Sequence, residues 1–335
     1  MNVLITGGAG YIGSHTARRL TRRGHRVRIY DNLSTGHRSL AEGFELVVGD
    51  VGDPVALALA LRGIDAVLHF AGHAYVGESV EHPRKYFENN LRSGMSLLNS
   101  VLDSGIRNFV FSSTCAVYGI PKQIPICEDD PREPVNPYGA SKYALEMVLE
   151  AYSKAYGLSS VSLRYFNAAG ADEGGEIGEM HEPETHLIPC ALEAAAGLRD
   201  ELTVFGDDYA TPDGTCVRDY VHVNDLAEAH VLALEYLVNG GASTAVNLGT
   251  GEGKSIKELV TLIEAVTGKK LPTRVAPRRA GDPPVLVADA SRAREVLKWR
   301  PSLTMTDILS SALKWSQREN GPVAEAGSFS RVHSV

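Results

Sequence analysis

Short apolar runs recur through the first half of the chain, separated by longer segments of mixed polarity. The runs at 3–5, 26–30, 45–48, 65–70, 108–111 and 161–165 predict six buried strands. Segments of helical character lie between them, including a long one over 84–102. Strands that alternate with helices form parallel sheets with helices on both faces. The pattern therefore predicts an α/β fold built on a doubly wound parallel sheet.

The first strand leads directly into a glycine-rich turn and then a helix. Gly7, Gly8, Gly10 and Gly13 follow the strand, and the helix is expected from His15 onward. Glycine adopts the positive φ that such a turn needs, and it lets the backbone approach a diphosphate. The helix N-terminus adds free N–H groups and a positive dipole. Strand, glycine turn and helix in this order predict a dinucleotide site in a Rossmann-type domain.

An acidic residue stands at the end of the second and of the third predicted strand. Asp31 lies about 20 residues beyond the turn, where a carboxylate accepts hydrogen bonds from the adenosine ribose. The same charge repels a 2′-phosphate, which favours NAD, although Arg38 keeps NADP open. Asp50 is placed to meet the adenine amino group. Because strand ends of a doubly wound sheet share one edge, we expect these carboxylates to line a crevice with the glycine turn, Phe70 and Thr114.

The second half of the chain has a less regular pattern. It predicts helices at 186–197, 224–237, 255–267 and 306–319, short strands at 203–205 and 245–248, and a loop rich in Gly and Glu over 174–184. The strand at 245–248 is expected to rejoin the main sheet. We therefore expect a Rossmann-type domain of residues 1–167 plus about 220–248, a smaller, discontinuous C-terminal substrate lobe of about 168–219 plus 249–318, and a polar tail over 319–335.

The composition of the chain limits which binding partners and which cellular compartment are expected. The formal net charge of −8 gives no electrostatic footprint for nucleic acid or an anionic membrane. No apolar run approaches the length of a membrane-spanning helix. The four cysteines have neither CxxC nor zinc-ligand spacing, which favours free thiols in a reducing cytosol. Since the first strand is expected at residue 3, no room remains for a signal peptide, and we expect a cytoplasmic protein.

A tyrosine and a lysine follow the fifth predicted strand at helical spacing. Pro137 suits the start of a helix, which puts Tyr138 and Lys142 on one face. A free tyrosine has a pKa of about 10 and is a poor base at neutral pH. A nearby lysine ammonium stabilises the tyrosinate and lowers that pKa. We therefore expect a proton-transfer pair close to Thr114.

Four motifs carry a resemblance to a known family. They are Thr-Gly-Gly-Ala-Gly-Tyr-Ile-Gly-Ser-His at 6–15, Ser-Thr-Cys-Ala-Val-Tyr-Gly at 113–119, the pair Tyr138 and Lys142, and Leu-Arg-Tyr-Phe-Asn at 163–167. Together they resemble the extended short-chain dehydrogenase/reductase family. In the second half, 206–222 and 278–282 resemble its branch of UDP-glucose 4-epimerases. The similarity runs over nearly the whole chain, to about Gln317.

The resemblance implies contacts to two ligands and a homodimer. For NAD the implied residues are Gly7, Gly10, Tyr11, Ile12, Gly13, Asp31, Asn32, Asp50, Val51, Phe70, Ala71, Asn89, Lys142 and Phe166. For the UDP-sugar they are Thr114, Tyr138, Asn167, His186, Leu187, Phe205, Arg218, Tyr220, Arg279, Asp282 and Leu286. In the second set the two arginines would hold the phosphates, because the planar guanidinium makes bidentate contacts. Phe205 would pack near the uracil.

The implied reaction interconverts UDP-glucose and UDP-galactose through a transient 4-keto sugar. Tyr138 removes the proton of the C4 hydroxyl while the C4 hydride passes to NAD⁺, and Thr114 holds the C4 oxygen in line. The keto sugar, anchored by UDP, turns over in its pocket and takes the hydride back on the opposite face. Because the cofactor is regenerated in every turnover, it acts as a bound catalyst.

Three alternatives stand beside this reaction. A nucleotide-sugar 4,6-dehydratase carries an Asp-Glu pair directly after the active-site threonine, where this chain has Cys115 and Ala116. A non-catalytic NAD sensor would lack the tyrosine and lysine pair. A UDP-pentose 4-epimerase, acting on UDP-xylose and UDP-arabinose, resembles this chain at Ala74, where many hexose epimerases have Lys, and at His186, where many have Asn. The sugar therefore stays open.

The segment His-Glu-Pro-Glu-Thr-His at 181–186 has residue types found in zinc sites. Its two histidines are five residues apart with a proline between them, so they do not share a helix face as HExxH requires. From this spacing the sequence predicts no metal site.

Leu286 bears on which sugars are accepted. It lies four residues beyond Asp282, where the resembled family has a residue against the sugar. A tyrosine there narrows the pocket, and a smaller side chain admits an N-acetyl group. Leu286 thus predicts a pocket wide enough for UDP-N-acetylglucosamine. The alternative is that Leu286 belongs to the core of a strand, with the loop register shifted by one residue.

Overall fold

A central parallel sheet of seven strands organises the protein. The computed structural model describes residues 1–279 and 281–320, and the structural statements below concern those residues. The strands are β1 (Asn2–Thr6), β2 (Arg26–Asp31), β3 (Glu45–Val48), β4 (Ala66–His69), β5 (Asn108–Thr114), β6 (Ser159–Tyr165), β7 (Asn167–Ala169), β8 (Leu202–Phe205), β9 (Val217–His222), β10 (Thr244–Leu248), β11 (Gly253–Ser255), β12 (Thr273–Ala276) and β13 (Val285–Leu286). The main sheet has the order β10-β6-β5-β4-β1-β2-β3.

Helices cover both faces of this sheet. They are α1 (Tyr11–Arg22), α2 (Pro54–Ala60), α3 (Val76–Glu81), α4 (Pro83–Tyr86), a π-helical segment (Phe87–Ser93), α5 (Gly94–Asp103), α6 (Pro137–Tyr156), α7 (Leu187–Ala196), α8 (Val223–Val238), α9 (Ile256–Thr267), α10 (Ser291–Val296) and α11 (Met305–Asn320). Short 3₁₀ turns span Arg38–Ala41 and Cys115–Tyr118. No helix in the described part of the chain is both long and apolar enough to cross a membrane.

The apolar runs form strands because both of their faces are covered. Val3 and Ile5 belong to the core cluster that includes residues of α1 and α8, whereas Leu4 belongs to the cluster that includes residues of α5 and α6. All three are fully buried, and each such side chain contributes about 1.5–3 kcal/mol. The six predicted strands are confirmed, and β10 pairs with β6 in parallel as expected. The predicted α/β class with a doubly wound parallel sheet is thus confirmed.

The long helix expected over 84–102 is interrupted, which corrects the sequence prediction. Its middle is the π-helical segment Phe87–Ser93, between α4 and α5. The backbone N–H of His73 donates to both Asn90 Oδ1 at 2.8 Å and Asn89 Oδ1 at 3.3 Å. Adjacent residues of a regular α-helix do not face the same point. The wider π turn lets both asparagines meet His73, and such turns are frequent at functional sites.

The second half builds a smaller unit around β9, a strand that the sequence pattern did not predict. β9 pairs with β7, β11 and β13, and β8 pairs separately with β12. Residues of α7, α9 and α11 share a third core cluster with Tyr220 of β9. The division into two lobes stays a prediction. Of the expected tail, residues 319 and 320 continue α11, and 321–335 lie outside the described residues.

Candidate active site

The glycine turn after β1 has no room for side chains. Gly7 has φ +72°, and a Cβ on it would lie 2.4 Å from the backbone nitrogen of Ala71. A Cβ on Gly13 would lie 2.4 Å from the carbonyl oxygen of Gly7. Gly10 is the N-cap of α1 without a side-chain hydrogen bond, and the first turn has no acidic residue. The positive end of α1 is therefore open to a diphosphate, in a cradle that only glycines form.

The two predicted adenosine contacts lie at neighbouring strand ends. Asp31 accepts hydrogen bonds from the backbone N–H of Ala9 at 3.0 Å and of Leu33 at 2.9 Å. Burial raises the pKa of its carboxyl, and these bonds oppose the shift. Asp50 accepts from the side-chain amide of Asn32 at 2.8 Å. Asp31 is therefore bonded to the glycine turn itself, and Asp50 is joined to the chain after β2 through Asn32.

Lys142 lies under the crevice, buried and directed at β5. Asn136 caps α6 by accepting from the Gly139 N–H at 2.8 Å, so the helix begins at Pro137 as predicted. The Lys142 Nζ donates to the carbonyl oxygen of Ser112 at 3.0 Å, and burial lowers its pKa to about 8. A Cβ on Gly72 would lie 3.4 Å from that Nζ. The backbone that follows β4 therefore passes close to the Lys142 ammonium group.

Tyr138 lies one helical turn before Lys142, beside Thr114 at the end of β5. Burial raises the pKa of Tyr138 to about 12, and a hydrogen bond with Thr114 opposes this shift. Desolvation thus outweighs the hydrogen bond in this arrangement, and the lowering of the Tyr138 pKa by the lysine stays a prediction. Thr114 also accepts from the N–H of Ala116 at 3.1 Å, which fixes its hydroxyl at the start of the 3₁₀ turn.

Asn90 was not predicted, although its neighbour Asn89 was. Its side chain is 2% exposed and donates to the His73 carbonyl oxygen at 3.0 Å and to Ser141 Oγ at 3.1 Å. Asn90 thereby joins the π-helical segment to α6, one residue before Lys142. The adjacent pair of asparagines inside an expected helix was the available signal, since both residues disfavour helix interiors.

Strand pairing brings several predicted sugar and phosphate contacts together. Asn167 of β7 is paired with Tyr220 of β9, and Leu286 of β13 is paired with Arg218 of β9. Phe166, which precedes Asn167, packs in the same small cluster as Leu286. These residues come from distant parts of the chain, and β9 is the strand that joins them.

The two predicted phosphate-binding arginines are held differently. Burial works against the charge of Arg218, but its ion pair with Asp282 raises the pKa of the guanidinium. Arg279 is exposed, and its guanidinium carbon lies 3.9 Å from the ring centroid of Phe205. This is cation–π distance. Phe205 and Arg279, expected at the uracil and the phosphates, therefore belong to one contact.

Leu286 lies close to the chain that follows β5. It is partly buried and packs against the cluster that includes Cys115, Val117, Tyr118 and Phe166. Cys115 directly follows Thr114, so this cluster adjoins the end of β5. A partly exposed position in a two-residue strand is compatible with both the gate and the core interpretation.

The structure brings three residues of the His-Glu-Pro-Glu-Thr-His segment together with Glu179, which precedes it, and the spacing argument did not foresee this. One ligand atom from each of Glu179, His181, Glu184 and His186 lies within 4.8 Å of the other three. The chain preceding α7 is not helical here, so helical spacing does not limit which side chains meet. The prediction of no metal site therefore loses its physical basis. His186 is the N-cap of α7, and Leu187 is the first residue of that helix.

A buried ion pair below α6 was also missed. Glu146 and Arg164 are each 2% exposed and lie 2.6 Å apart, and Ser113 donates to Glu146 at 2.5 Å. Glu146 is four residues beyond Lys142, on the same helical face. That spacing was the signal, and its partner on β6 was not visible in the sequence.

Comparison with known proteins agrees with this arrangement. Residues 3–249 match the NAD dependent epimerase/dehydratase family. The chain is 50% identical over 321 residues to the UDP-glucose 4-epimerase of Rhizobium meliloti (strain 1021), covering 95% of this chain and 98% of that one.

Two solved structures are similar over almost their full length. The UDP-glucose 4-epimerase from Brucella ovis in complex with NAD gives a TM-score of 0.91 at 52% identity, covering 93% of this chain and 97% of that one. The enzyme from Stenotrophomonas maltophila with bound NAD and formylated UDP-arabinopyranose gives 0.92 at 42% identity, covering 96% and 99%. The chain therefore belongs to the NAD dependent epimerase/dehydratase family.

Proposed function

We propose that this protein is a UDP-sugar 4-epimerase that uses NAD as a bound cofactor and interconverts UDP-glucose and UDP-galactose. The observation that carries the proposal is the hydrogen bond between Tyr138 and Thr114, with Lys142 bonded to Ser112 of the same strand, in a sheet whose first strand leads into the glycine cradle. The relatives named above are UDP-glucose 4-epimerases of nearly the same length, which supports the same assignment.

The residues at the strand ends fit a dinucleotide. The cradle of Gly7, Gly10 and Gly13 and the open end of α1 would hold the diphosphate, with Tyr11 and Ile12 in its first turn. The other proposed NAD contacts are Asp31, Asn32, Asp50, Val51, Phe70, Ala71, Asn89, Lys142 and Phe166. NAD held by these residues would supply reversible hydride transfer at C4 of the sugar.

Tyr138 would take the proton of the C4 hydroxyl and give it back after the sugar has turned. Because burial raises its pKa to about 12, the phenol needs positive charge nearby to act as a base. Lys142, held at Ser112 by its hydrogen bond, supplies such a charge when protonated. Thr114 would orient the C4 oxygen toward the tyrosine, since its hydroxyl is already fixed beside Tyr138.

The β9 region and α7 would anchor the UDP moiety while the sugar turns. Arg218 and Arg279 would bind the diphosphate, and Phe205 would stack near the uracil after Arg279 moves from its ring to the phosphates. The remaining proposed contacts are Asn167, His186, Leu187, Tyr220, Asp282 and Leu286. An anchor on UDP alone leaves the sugar free to present either face.

A UDP-pentose is the second candidate substrate. Ala74 and His186 favour it by resemblance, and a structure 42% identical to this chain holds formylated UDP-arabinopyranose. The reaction type is the same for both sugars. A 4,6-dehydratase remains less favoured, because Cys115 and Ala116 follow Thr114.

We further propose a cytoplasmic homodimer. The four cysteines are all free thiols, as a reducing compartment keeps them. The π-helical segment, α5 and α6 lie together, and Tyr152 donates to Asn99 across them at 2.7 Å. Phe87, Met95 and Met147 are 40%, 37% and 49% exposed on these elements. A second copy that packs through the same surface would cover these side chains. Light scattering, which compares the mass of Met147→Glu with that of the unaltered protein, tests this dimer.

The decisive experiment incubates the purified protein with each UDP-sugar without added NAD and resolves the products by chromatography. We expect UDP-glucose and UDP-galactose to approach one equilibrium mixture from either side. The same incubation with UDP-xylose and with UDP-arabinose tests the pentose alternative. Absence of conversion in all arms, also after addition of NAD, would contradict the proposal.

A further inference from the structure

The loop before α7 carries two histidines and two glutamates that no step of the proposed reaction uses together. We propose that Glu179, His181, Glu184 and His186 form a binding site for one divalent metal ion of the zinc class. The site is separate from the hydride and proton transfer chemistry. Its test reads metal binding, so it stands or falls independently of the epimerase assignment.

The distances suit a tetrahedral site. His181 Nδ1 lies 3.1 Å from Glu179 Oε1 and 3.7 Å from Glu184 Oε2. His186 Nδ1 lies 2.9 Å from Glu179 Oε1 and 3.0 Å from Glu184 Oε1. In a tetrahedral zinc site with bonds of about 2.0–2.2 Å, neighbouring ligand atoms are about 3.3 Å apart. The four separations, which use both oxygens of Glu184, bracket that value. One ligand atom from each residue lies within 4.8 Å of the other three, so the groups would have to move inward to hold one ion.

Hydrogen bonds alone leave part of the cluster unexplained. His181 Nδ1 is shielded from solvent and makes no hydrogen bond, although carboxylate oxygens lie beside it. The two imidazole rings have centroids 4.8 Å apart, so two imidazolium charges would repel each other. A divalent cation balances both carboxylates and leaves both imidazoles neutral, which is their ligating form.

Two tyrosine rings lie beside the cluster. The rings of Tyr75 and Tyr11 pack edge-on against His181. Together with the two glutamates, these phenols are the groups that face the histidines.

The backbone already orients one of the carboxylates. Glu184 Oε1 accepts from the N–H of Thr185 at 2.7 Å and from the N–H of His186 at 2.8 Å. These bonds fix the carboxylate at the start of α7, with Oε2 facing His181. Such supporting hydrogen bonds are typical of metal ligands.

The donor set indicates the kind of metal and its role. Two imidazole nitrogens and two carboxylate oxygens, without a thiolate, suit Zn²⁺ and not Cu(I). Four protein ligands close the coordination sphere, as in structural zinc sites. Since His186 caps α7, the ion would tie the loop to the helix that begins with the proposed UDP contact Leu187.

The test uses the full chain made without a polyhistidine tag. The protein is treated with EDTA, dialysed, and titrated with Zn²⁺ against a chromophoric chelator, with elemental analysis of the product. We expect about one zinc per chain and a rise in Tm on zinc addition. His181→Ala and Glu179→Gln should each weaken zinc binding by more than about 100-fold, since loss of a supporting group alone costs 10–100-fold.

His82→Ala is the matched control, because His82 is exposed and outside the cluster, and it should bind zinc like the unaltered protein. Circular dichroism identifies variants that fail to fold, and the zinc titration of the unaltered protein does not depend on any variant. Saturable binding that is absent from His181→Ala supports the site. If the unaltered protein binds zinc no more tightly than His181→Ala, the four residues form only an ion-pair cluster, and the proposal is wrong.

Discussion

Glu146 and Arg164 form a buried ion pair beneath the helix that carries Tyr138 and Lys142. Two nitrogens of the guanidinium bond the carboxylate, and Ser113 of β5 donates to the same group. Arg164 lies on β6 and Ser113 lies beside Thr114. The pair therefore fixes α6 to the two strands against which the proposed base and its threonine partner must be aligned.

Glu146→Gln should lower stability strongly, because it leaves the Arg164 charge buried without its partner. Breaking a buried pair in this way costs about 3–5 kcal/mol. Glu150→Gln is the control on the same helix, since Glu150 pairs with Arg132 and is 54% exposed. Surface pairs contribute about 0–1 kcal/mol. Urea unfolding of both variants checks the contrast. Equal losses in the free energy of unfolding would show that the buried ion pair contributes no more to stability than the surface pair.

Tyr138→Phe should abolish most turnover while the folded structure is kept. The change deletes the phenol oxygen and retains the ring, and loss of a general base costs about 10²–10⁴-fold in kcat. UDP-sugar binding, measured by calorimetry, should change little. Thr114→Val should be milder, because it removes orientation and leaves the base. Near-normal turnover by Tyr138→Phe would assign the proton transfer to another group.

Lys142→Met should move the pH optimum upward and lower the rate. In the folded protein burial raises the pKa of Tyr138 to about 12 and lowers that of Lys142 to about 8. The ammonium assists ionisation of the tyrosine and is lost as the pH rises through its pKa. Without the ammonium, the tyrosine should ionise only at higher pH. Profiles of kcat against pH for both proteins test this, and an unshifted acidic limb in the variant would contradict it.

Gly13→Ala should prevent the protein from retaining NAD through purification. The added Cβ would lie 2.4 Å from the Gly7 carbonyl oxygen, and the turn must shift to relieve that contact. Gly77→Ala is the control, since a Cβ there meets nothing within 4 Å. NAD released by acid from each purified protein is measured by its absorbance. Equal NAD content in the two variants would show that the glycine turn is not required for NAD binding.

The main sheet could be predicted because its strands are buried on both faces. In β1 the run Val3–Ile5 is apolar throughout, so local sequence alone indicates the strand. β9 was not predicted, because its residues Arg218 and Asp219 are charged and their burial depends on Asp282 and on backbone groups far along the chain. Interactions of that kind leave no periodic signal.

The site could be predicted where one short segment carries its chemistry. The glycine turn and the Tyr138–Lys142 spacing are of this kind, since helix geometry fixes the relation between their members. The raised pKa of Tyr138 was not foreseen, because desolvation depends on the whole surrounding fold. The meeting of His181 and His186 was missed for a similar reason, since a non-helical loop follows no fixed spacing.

The last prediction concerns Leu286 and the size of the sugar. Leu286 packs against the cluster that includes Cys115, the residue after Thr114, and Phe166. Leucine lacks the ring and hydroxyl of tyrosine, so the pocket should admit UDP-N-acetylglucosamine at a measurable rate. Leu286→Tyr should suppress that reaction more than UDP-galactose turnover. The tyrosine ring would overpack the pocket when the bulkier N-acetylated sugar is bound, and overpacking costs about 1–3 kcal/mol. Leu286→Met, which keeps an apolar side chain of similar volume, is the control. The measurement is kcat/KM for both substrates in all three proteins. A ratio that Leu286→Tyr leaves unchanged would show that Leu286 is strand core and not the gate.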